Sequence, residues 1–242
     1  MLHYISKKIL NLFFPFQCPI CNTIVNKSNI CDICWKQLIF IQQPFCSKCH
    51  HPFEVESNKS TLCINCITNK IYFKKSTSIL IYNKTSGTLI SKLKYKDQTN
   101  IAKFAAKLMS EHSQDFLKEN NIDLIVSIPM HKKKLQQRKY NQSALLAKKL
   151  AQLNNIEFIL DFLIKTKNTK PQTTLKQKDR KTNLQNTFSL NLKYSLKNFR
   201  NKNILLIDDV FTTGSTLNEC AKILVKNEIK NIYCLTLAKT KK

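Results

Sequence analysis

Ile204-Leu205-Leu206-Ile207-Asp208-Asp209-Val210-Phe211-Thr212-Thr213-Gly214-Ser215-Thr216 is the stretch whose reading decides the fold. Four apolar residues read as a buried strand, two adjacent acids follow, and a hydroxyl-rich turn with one glycine opens the amphipathic stretch 216–227. Gly214 can take a positive φ and let the backbone close around an oxyanion. The hydroxyls of Thr212, Thr213, Ser215 and Thr216 can donate to phosphate, and a helix start adds its dipole. Asp208 and Asp209 sit where they can accept hydrogen bonds from ribose hydroxyls. A capped strand-to-helix turn alone would need the hydroxyls but not the paired acids. No lysine follows the glycine, which excludes a Walker A loop. The segment reads as a monophosphate cradle with ribose-binding acids, and it holds one of only two glycines in the chain.

The same strand-then-helix pattern recurs around it. Runs at 78–82, 123–128, 157–164, 203–207 and 231–237 are short and apolar, as buried strands are. Between them, 86–95, 101–119, 141–153 and 216–227 have helical periodicity. Such alternation predicts an α/β domain with a parallel sheet, whose ligand sites form at the carboxyl ends of the strands. It occupies 71–242 and follows a different kind of segment at 1–70.

Eight of the ten cysteines lie in that first segment, as the CxxC pairs Cys18/Cys21, Cys31/Cys34, Cys46/Cys49 and Cys63/Cys66. Each pair can present two thiolates from a tight turn, and two pairs complete a tetrahedral four-thiolate zinc site. Two structural Zn2+ ions are therefore expected. The short loops favour closure in order, first pair with second and third with fourth, while a cross-brace remains open. The metal's first role is to fold a segment too poor in apolar residues to make its own core. Trp35, Phe45 and Phe53 beside the knuckles either stack on bases or pack over the metal sites. His50, His51 and His131 are expected to be solvated loop residues, because eight cysteines already satisfy two metals. Cys220 and Cys234 read as small buried apolar residues.

The chain of 242 residues is 43% apolar, enough for a real core, and its 40 basic and 15 acidic residues give a formal net charge of +25. Eight thiolates on two divalent ions would lower this only to about +21. A field of that sign attracts polyanions, although a Lys-, Asn- and Ile-rich composition also collects lysine on solvated faces. No apolar run approaches the length of a membrane span. The leading stretch 9–16 is interrupted by Asn11 and Pro15 and lacks a cleavage site, so a cytoplasmic protein is expected.

The 204–216 segment resembles the phosphoribosyl-pyrophosphate (PRPP) loop of type I phosphoribosyltransferases, and further segments resemble the ComF family. These are Ser127-Ile128-Pro129-Met130-His131, Arg138-Lys139-Tyr140-Asn141-Gln142 against the family's RGFNQ, and Lys94-Tyr95-Lys96 against its LKY. Gln172 to Leu175, Arg180 and Asn183 to Phe188 resemble a further family stretch, and the knuckles resemble its amino-terminal module. Lys139 stands where that family has glycine. The resemblance implies displacement at the anomeric carbon of PRPP with Mg2+ on the pyrophosphate. It gives Asp208 and Asp209 to ribose, Thr212, Thr213, Gly214, Ser215 and Thr216 to the 5-phosphate, and Arg138, Arg180 and Lys94 to the pyrophosphate side. Only three of the 40 basic residues are arginine, and two of them fall in these motifs. Arginine binds phosphate bidentately where lysine gives a point charge. The family's association with competence implies as alternatives a single-stranded DNA-binding scaffold on the same fold, or an adaptor for a protein of the competence machinery.

Overall fold

The computed structural model describes residues 16–26, 30–55, 60–94, 99–167 and 187–241. After two short helices, α1 (Asp32–Lys36) and α2 (Ile64–Thr68), the chain forms β1 (Lys75–Ile81), α3 (Lys84–Lys94), α4 (Thr99–His112), α5 (Gln114–Glu119) and β2 (Leu124–Ser127). There follow α6 (Lys132–Arg138), α7 (Gln142–Asn154), β3 (Glu157–Ile159), β4 (Leu163–Lys165), β5 (Phe188–Leu190), β6 (Ile204–Phe211), α8 (Ser215–Lys226) and β7 (Ile232–Lys239). Five strands make one parallel sheet in the order β1-β7-β6-β2-β3, while β4 and β5 pair antiparallel by themselves.

The sheet is buried on both faces, as the continuous apolar runs predicted. Along β6 the side chains alternate: Leu205 and Ile207 pack under α3, α4 and α7 with Leu89, Ile90, Leu146 and Leu150. Ile204 and Leu206 pack on the opposite face with Leu217, Cys220, Ala221 and Leu224 of α8. Each of these four β6 side chains is fully buried, worth about 1.5–3 kcal/mol apiece against exposure. Cys220 and Cys234 are buried in the same layer.

Three expected elements differ. The run at 157–164 is two strands, not one: β3 extends the main sheet, and the turn at Leu160–Asp161 sends β4 to the small sheet. The helix expected at 101–119 breaks at Ser113, so α4 and α5 are separate. A helix unforeseen in the lysine-rich stretch, α6, is capped at its start by His131, whose Nδ1 accepts from the Lys133 N–H at 3.2 Å. It ends at Lys139 in the left-handed region, with φ 65°. The residue that stands for the family's glycine thus keeps a glycine-like backbone.

The cysteine segment folds as two versions of one motif. The Cys18 N–H donates to Thr23 O and Asn22 N–H returns to Cys18 O; likewise Cys46 N–H donates to His51 O and His50 N–H to Cys46 O. Asn22 and His50, each directly after the second cysteine, both have φ above 60°. The segment also covers the outer edge of β1: Ile41 N–H donates to Ile79 O and Ile81 N–H to Ile39 O. An open edge of this kind invites pairing with other chains, and here it is covered.

Replacing Lys139 with glycine should raise the unfolding free energy by about 0.5–1 kcal/mol, because a left-handed backbone strains any side chain bearing Cβ. Urea denaturation should show a higher midpoint at unchanged slope. A lower midpoint would mean that the turn depends on the lysine side chain.

Candidate functional site

From β6 the chain crosses through α8 to β7 on one side, whereas from β2 it crosses through α6 and α7 to β3 on the other. Their adjacent carboxyl ends therefore form the crevice in which open α/β sheets hold ligands. β6 brings Asp208 and Asp209 there, and the start of α7 brings Asn141, Gln142 and Ser143. Asn141 caps α7 by accepting from the Ser143 N–H at 3.1 Å and ties it to β2 by donating to Ile128 O at 2.9 Å. Tyr140 fixes the preceding turn by donating to Leu93 O at 2.9 Å.

Asp208 Oδ1 accepts from Ser143 Oγ at 2.8 Å and from the Asp209 N–H at 2.9 Å. Burial, and then the neighbouring Asp209 carboxylate, push the Asp208 carboxyl up to about 7. Asp209 is buried, ion-paired to Lys94 Nζ at 3.1 Å, and approached by Gln142 Nε2 at 3.5 Å. Gln142 is 7% exposed, and its buried Oε1 has no hydrogen-bond partner among the described residues. It is an acceptor held beside the acid pair.

Beyond the acids the loop closes as its composition suggests. Gly214 has φ 74°, and a Cβ placed on it would lie 2.4 Å from Phe211 Cζ. Only glycine fits without moving that ring. The Thr213 and Ser215 hydroxyls lie 2.7 Å apart, Thr240 Oγ1 donates to Thr212 O at 3.3 Å, and Thr216 stands in the first turn of α8. The N–H groups of a helix's first turn have no intrahelical partner, so this turn can receive an anion. A cleft of about 260 Å³ opens beside it, lined by Thr213, Gly214 and Ser215 on one wall and by Asn65, Lys70 and Tyr72 on the other.

Arg138 ends α6 beside Lys134, and Arg180 lies outside the described residues, as do Gln172–Leu175 and Tyr95–Lys96. Lys94, expected on the pyrophosphate side, is ion-paired to Asp209. Sequence reasoning missed two cations. Burial and the repulsion of Lys134 hold the Lys165 ammonium below its ordinary value, while Asp208 attracts it; burial and Arg138 do the same to Lys134. The Lys134 charge thus acts on both Arg138 and Lys165, and of the three Lys165 is the one felt by Asp208. In so lysine-rich a chain, no local signal sets these two lysines apart.

Both cysteine groups close in order. The sulfurs of Cys18, Cys21, Cys31 and Cys34 lie within 4.8 Å of one another, and so do those of Cys46, Cys49, Cys63 and Cys66. Crowded sulfurs resist a second negative charge. Hydrogen bonding with Thr23 brings Cys21 down to about 6, whereas its neighbour Cys46 holds Cys49 up at about 12. A divalent cation removes that conflict, and an all-cysteine tetrahedral set suits Zn2+. His50 is not the solvated residue expected. It is half-buried against Phe45, with ring centroids 3.9 Å apart, and its Nδ1 accepts from the Ser78 N–H at 3.2 Å. Burial brings it down to about 4, so it ties ribbon to sheet as a neutral ring. Phe45 thus packs inward, whereas Trp35 is 42% exposed.

Comparison with known proteins agrees with this division. Residues 9–67 match the double zinc ribbon domain family, and residues 91–242 match the phosphoribosyl transferase domain family. Competence protein F of Haemophilus influenzae is 31% identical over 232 residues, 94% of this chain and 98% of that one. The DNA utilization protein YhgH of Salmonella typhimurium is 26% identical over 95% of this chain and 99% of its own. Competence protein ComFC of Bacillus subtilis is 25% identical over 87% and 84% respectively. The ribbon pairs, the parallel sheet with its acid-and-glycine loop, and this end-to-end likeness to Competence protein F place the chain in the ComF family, a double zinc ribbon joined to a phosphoribosyltransferase-type domain.

Proposed function

We propose that the 208–216 loop binds the ribose and 5-phosphate of PRPP or of a nucleotide, and that the protein acts in the cytoplasm in the uptake and handling of single-stranded DNA. The observation that carries this reading is the acid pair at the end of β6 running straight into a left-handed glycine at the start of α8. Asp208 and Asp209 accept from the ribose hydroxyls, and the unpartnered Gln142 Oε1 offers a third acceptor beside them. Thr212, Thr213, Gly214, Ser215 and Thr216 surround the 5-phosphate.

The positive charges of Lys134, Arg138 and Lys165, the last of which acts on Asp208, support a polyanion on the far side of the ribose, since a pyrophosphate there would be attracted by all three. Arg180 belongs to the same side by resemblance. Mg2+ bound with the pyrophosphate would neutralise its charge. In a transferase these residues hold the ribose, fix the leaving pyrophosphate and stabilise charge as it develops, which is positional and electrostatic work.

The net charge of +25 favours a second reading, in which the fold binds a nucleic-acid backbone without turnover. The named relatives are competence and DNA utilization proteins, which suits either reading. A partner from the competence machinery is compatible with both.

Calorimetry of the zinc-loaded protein with PRPP and Mg2+ should give binding that Asp208→Asn/Asp209→Asn weakens by at least about tenfold, or about 1.4 kcal/mol. An unchanged affinity would remove the acids from the site. Single-stranded DNA binding that survives the double substitution and falls steeply with salt, without PRPP binding, would favour the scaffold.

Gly214→Ala should abolish measurable ribose 5-phosphate binding while the protein stays folded by circular dichroism. Retained binding would show that the loop does not close around the phosphate.

The raised Asp208 carboxyl has two consequences. Its protonated form is favoured by folding, so that stability is present below the ordinary carboxylate range and lost as pH rises through about 7. Asp208→Asn should therefore be more stable than wild type by roughly 2 kcal/mol at pH 8 and close to it at pH 4. Ribose hydroxyls favour the ionised form, so ribose 5-phosphate affinity should rise from pH 6 to 8 in wild type and stay flat in Asp208→Asn.

A further inference from the structure

Lys239, the last residue of β7, is 3% exposed although it is a lysine. Its Nζ donates to Cys49 O at 3.0 Å and sits 3.2 Å from the centroid of the Phe211 ring. Among the described residues no carboxylate pairs with it. A buried ammonium needs a compensating negative charge, and the ribbon whose Cys49 carbonyl accepts from this one gathers the sulfurs of Cys46, Cys49, Cys63 and Cys66 within 4.8 Å of one another. Four thiolates on one Zn2+ leave a net charge of −2, half of which the ammonium offsets. The other face of this contact is the loop. Phe211 is buried, is met edge-on by Phe73 at 6.3 Å, and fills the space in which Gly214 would carry a Cβ. One side chain thus touches both the second ribbon and the ring against which the loop's glycine packs. Among the described residues no such tie reaches the first ribbon, whose apolar residues pack on the opposite face of the sheet.

We infer that Lys239 is a positioning residue that couples zinc in the second ribbon to the 208–216 loop. With metal bound, the charged ribbon holds the ammonium over Phe211 and the ring holds Gly214 in its left-handed form. Without metal the ribbon no longer fixes the Cys49 carbonyl against the ammonium, the ring loses its cover and the loop loses its wall. By reciprocity an anion that orders the loop tightens zinc in the second ribbon and leaves the first unaffected. The metal half of this stands on the ribbon alone, whereas the loop half rests on the ribose-phosphate reading above.

Zinc release from the full-length protein into a chromogenic chelator tests it, with and without ribose 5-phosphate at a concentration that calorimetry shows to be saturating. Wild type should release its two ions in two phases, and the ligand should slow one of them roughly fivefold or more. Lys239→Met, which keeps the bulk without the charge, should release one ion about tenfold faster in the absence of ligand and lose the ligand effect. Phe211→Leu, which leaves the ammonium on Cys49, should keep near-wild-type release of both ions and lose the ligand effect. Equal release by Lys239→Met and wild type overturns the inference whatever the ligand does. So does ligand that binds wild type and slows neither phase, or both alike, and in that case the ribose-phosphate reading stands. Ribose 5-phosphate that fails to bind wild type at all refutes that reading and the coupling together.

Discussion

Everything functional in this protein hangs on β6 being sandwiched. Its partners β7 and β2 run parallel to it and its two faces carry separate apolar layers, so neither its register nor its direction can slip without exposing Ile204, Leu205, Leu206 and Ile207. A strand pinned on four sides makes its carboxyl end a rigid place from which to project charge. The two acids exploit the pleat: both are reached from the start of α7, but Asp209 continues the Leu205–Ile207 face and meets Gln142 and Lys94, while Asp208 continues the Leu206 face toward Cys220 and Lys165 and meets Ser143. Adjacent carboxylates therefore enter different surroundings. One is neutralised by an ion pair, whereas burial and the neighbouring carboxylate raise the other.

The zinc ribbons solve a different problem. Their segment has too few apolar side chains to fold alone, yet it covers the edge of β1 and contributes to both apolar layers, Cys18, Ile20 and Leu38 to one and Cys46, Cys49 and Cys63 to the other. Metal coordination replaces a core the segment lacks, and its folding free energy is then available to hold the edge shut. The duplicated knuckle geometry at Cys18–Thr23 and Cys46–His51 has diverged at the residue after the second cysteine. Asn22 faces Lys92 on α3, whereas His50 is driven into the sheet and hydrogen-bonds the β1 backbone. The second ribbon is accordingly the more deeply integrated of the two.

What could be read from sequence was what local chemistry dictates. Two acids before a glycine turn, four CxxC pairs and alternating apolar runs each demand a particular backbone, so the parallel sheet, the loop and the order of the strands' helices were legible. The losses came where long-range packing decides. Residues 157–164 are apolar for most of their length, and nothing local reveals that the turn at Leu160 leaves one sheet for another. Lys132 to Arg138 has no apolar face to suggest a helix; its caps, His131 and a left-handed Lys139, hold it. His50 looked like a loop histidine because its partner, Ser78, is 28 residues away. Lys165 and Lys239 were invisible among so many lysines, and only burial separates them from the solvated rest.

That separation bears on how the large net charge should be understood. Lysines such as Lys107 and Lys193 lie more than half exposed and are screened by salt, so they steer polyanions without fixing where one binds. Lys94, Lys165 and Lys239 are each set against a specific group, a carboxylate, an aromatic ring, or a ring and a cysteine carbonyl, in surroundings where screening is weak. The two populations answer to different physics. A long strand drawn to the outer charge would bind in proportion to the phosphates it neutralises, whereas a single phosphorylated sugar in the crevice would feel mainly the inner groups. The proposed function thus asks two things of one chain, to gather nucleic acid over its surface and to discriminate at one sugar, and these need not conflict, because the charges that attract are not the charges that position.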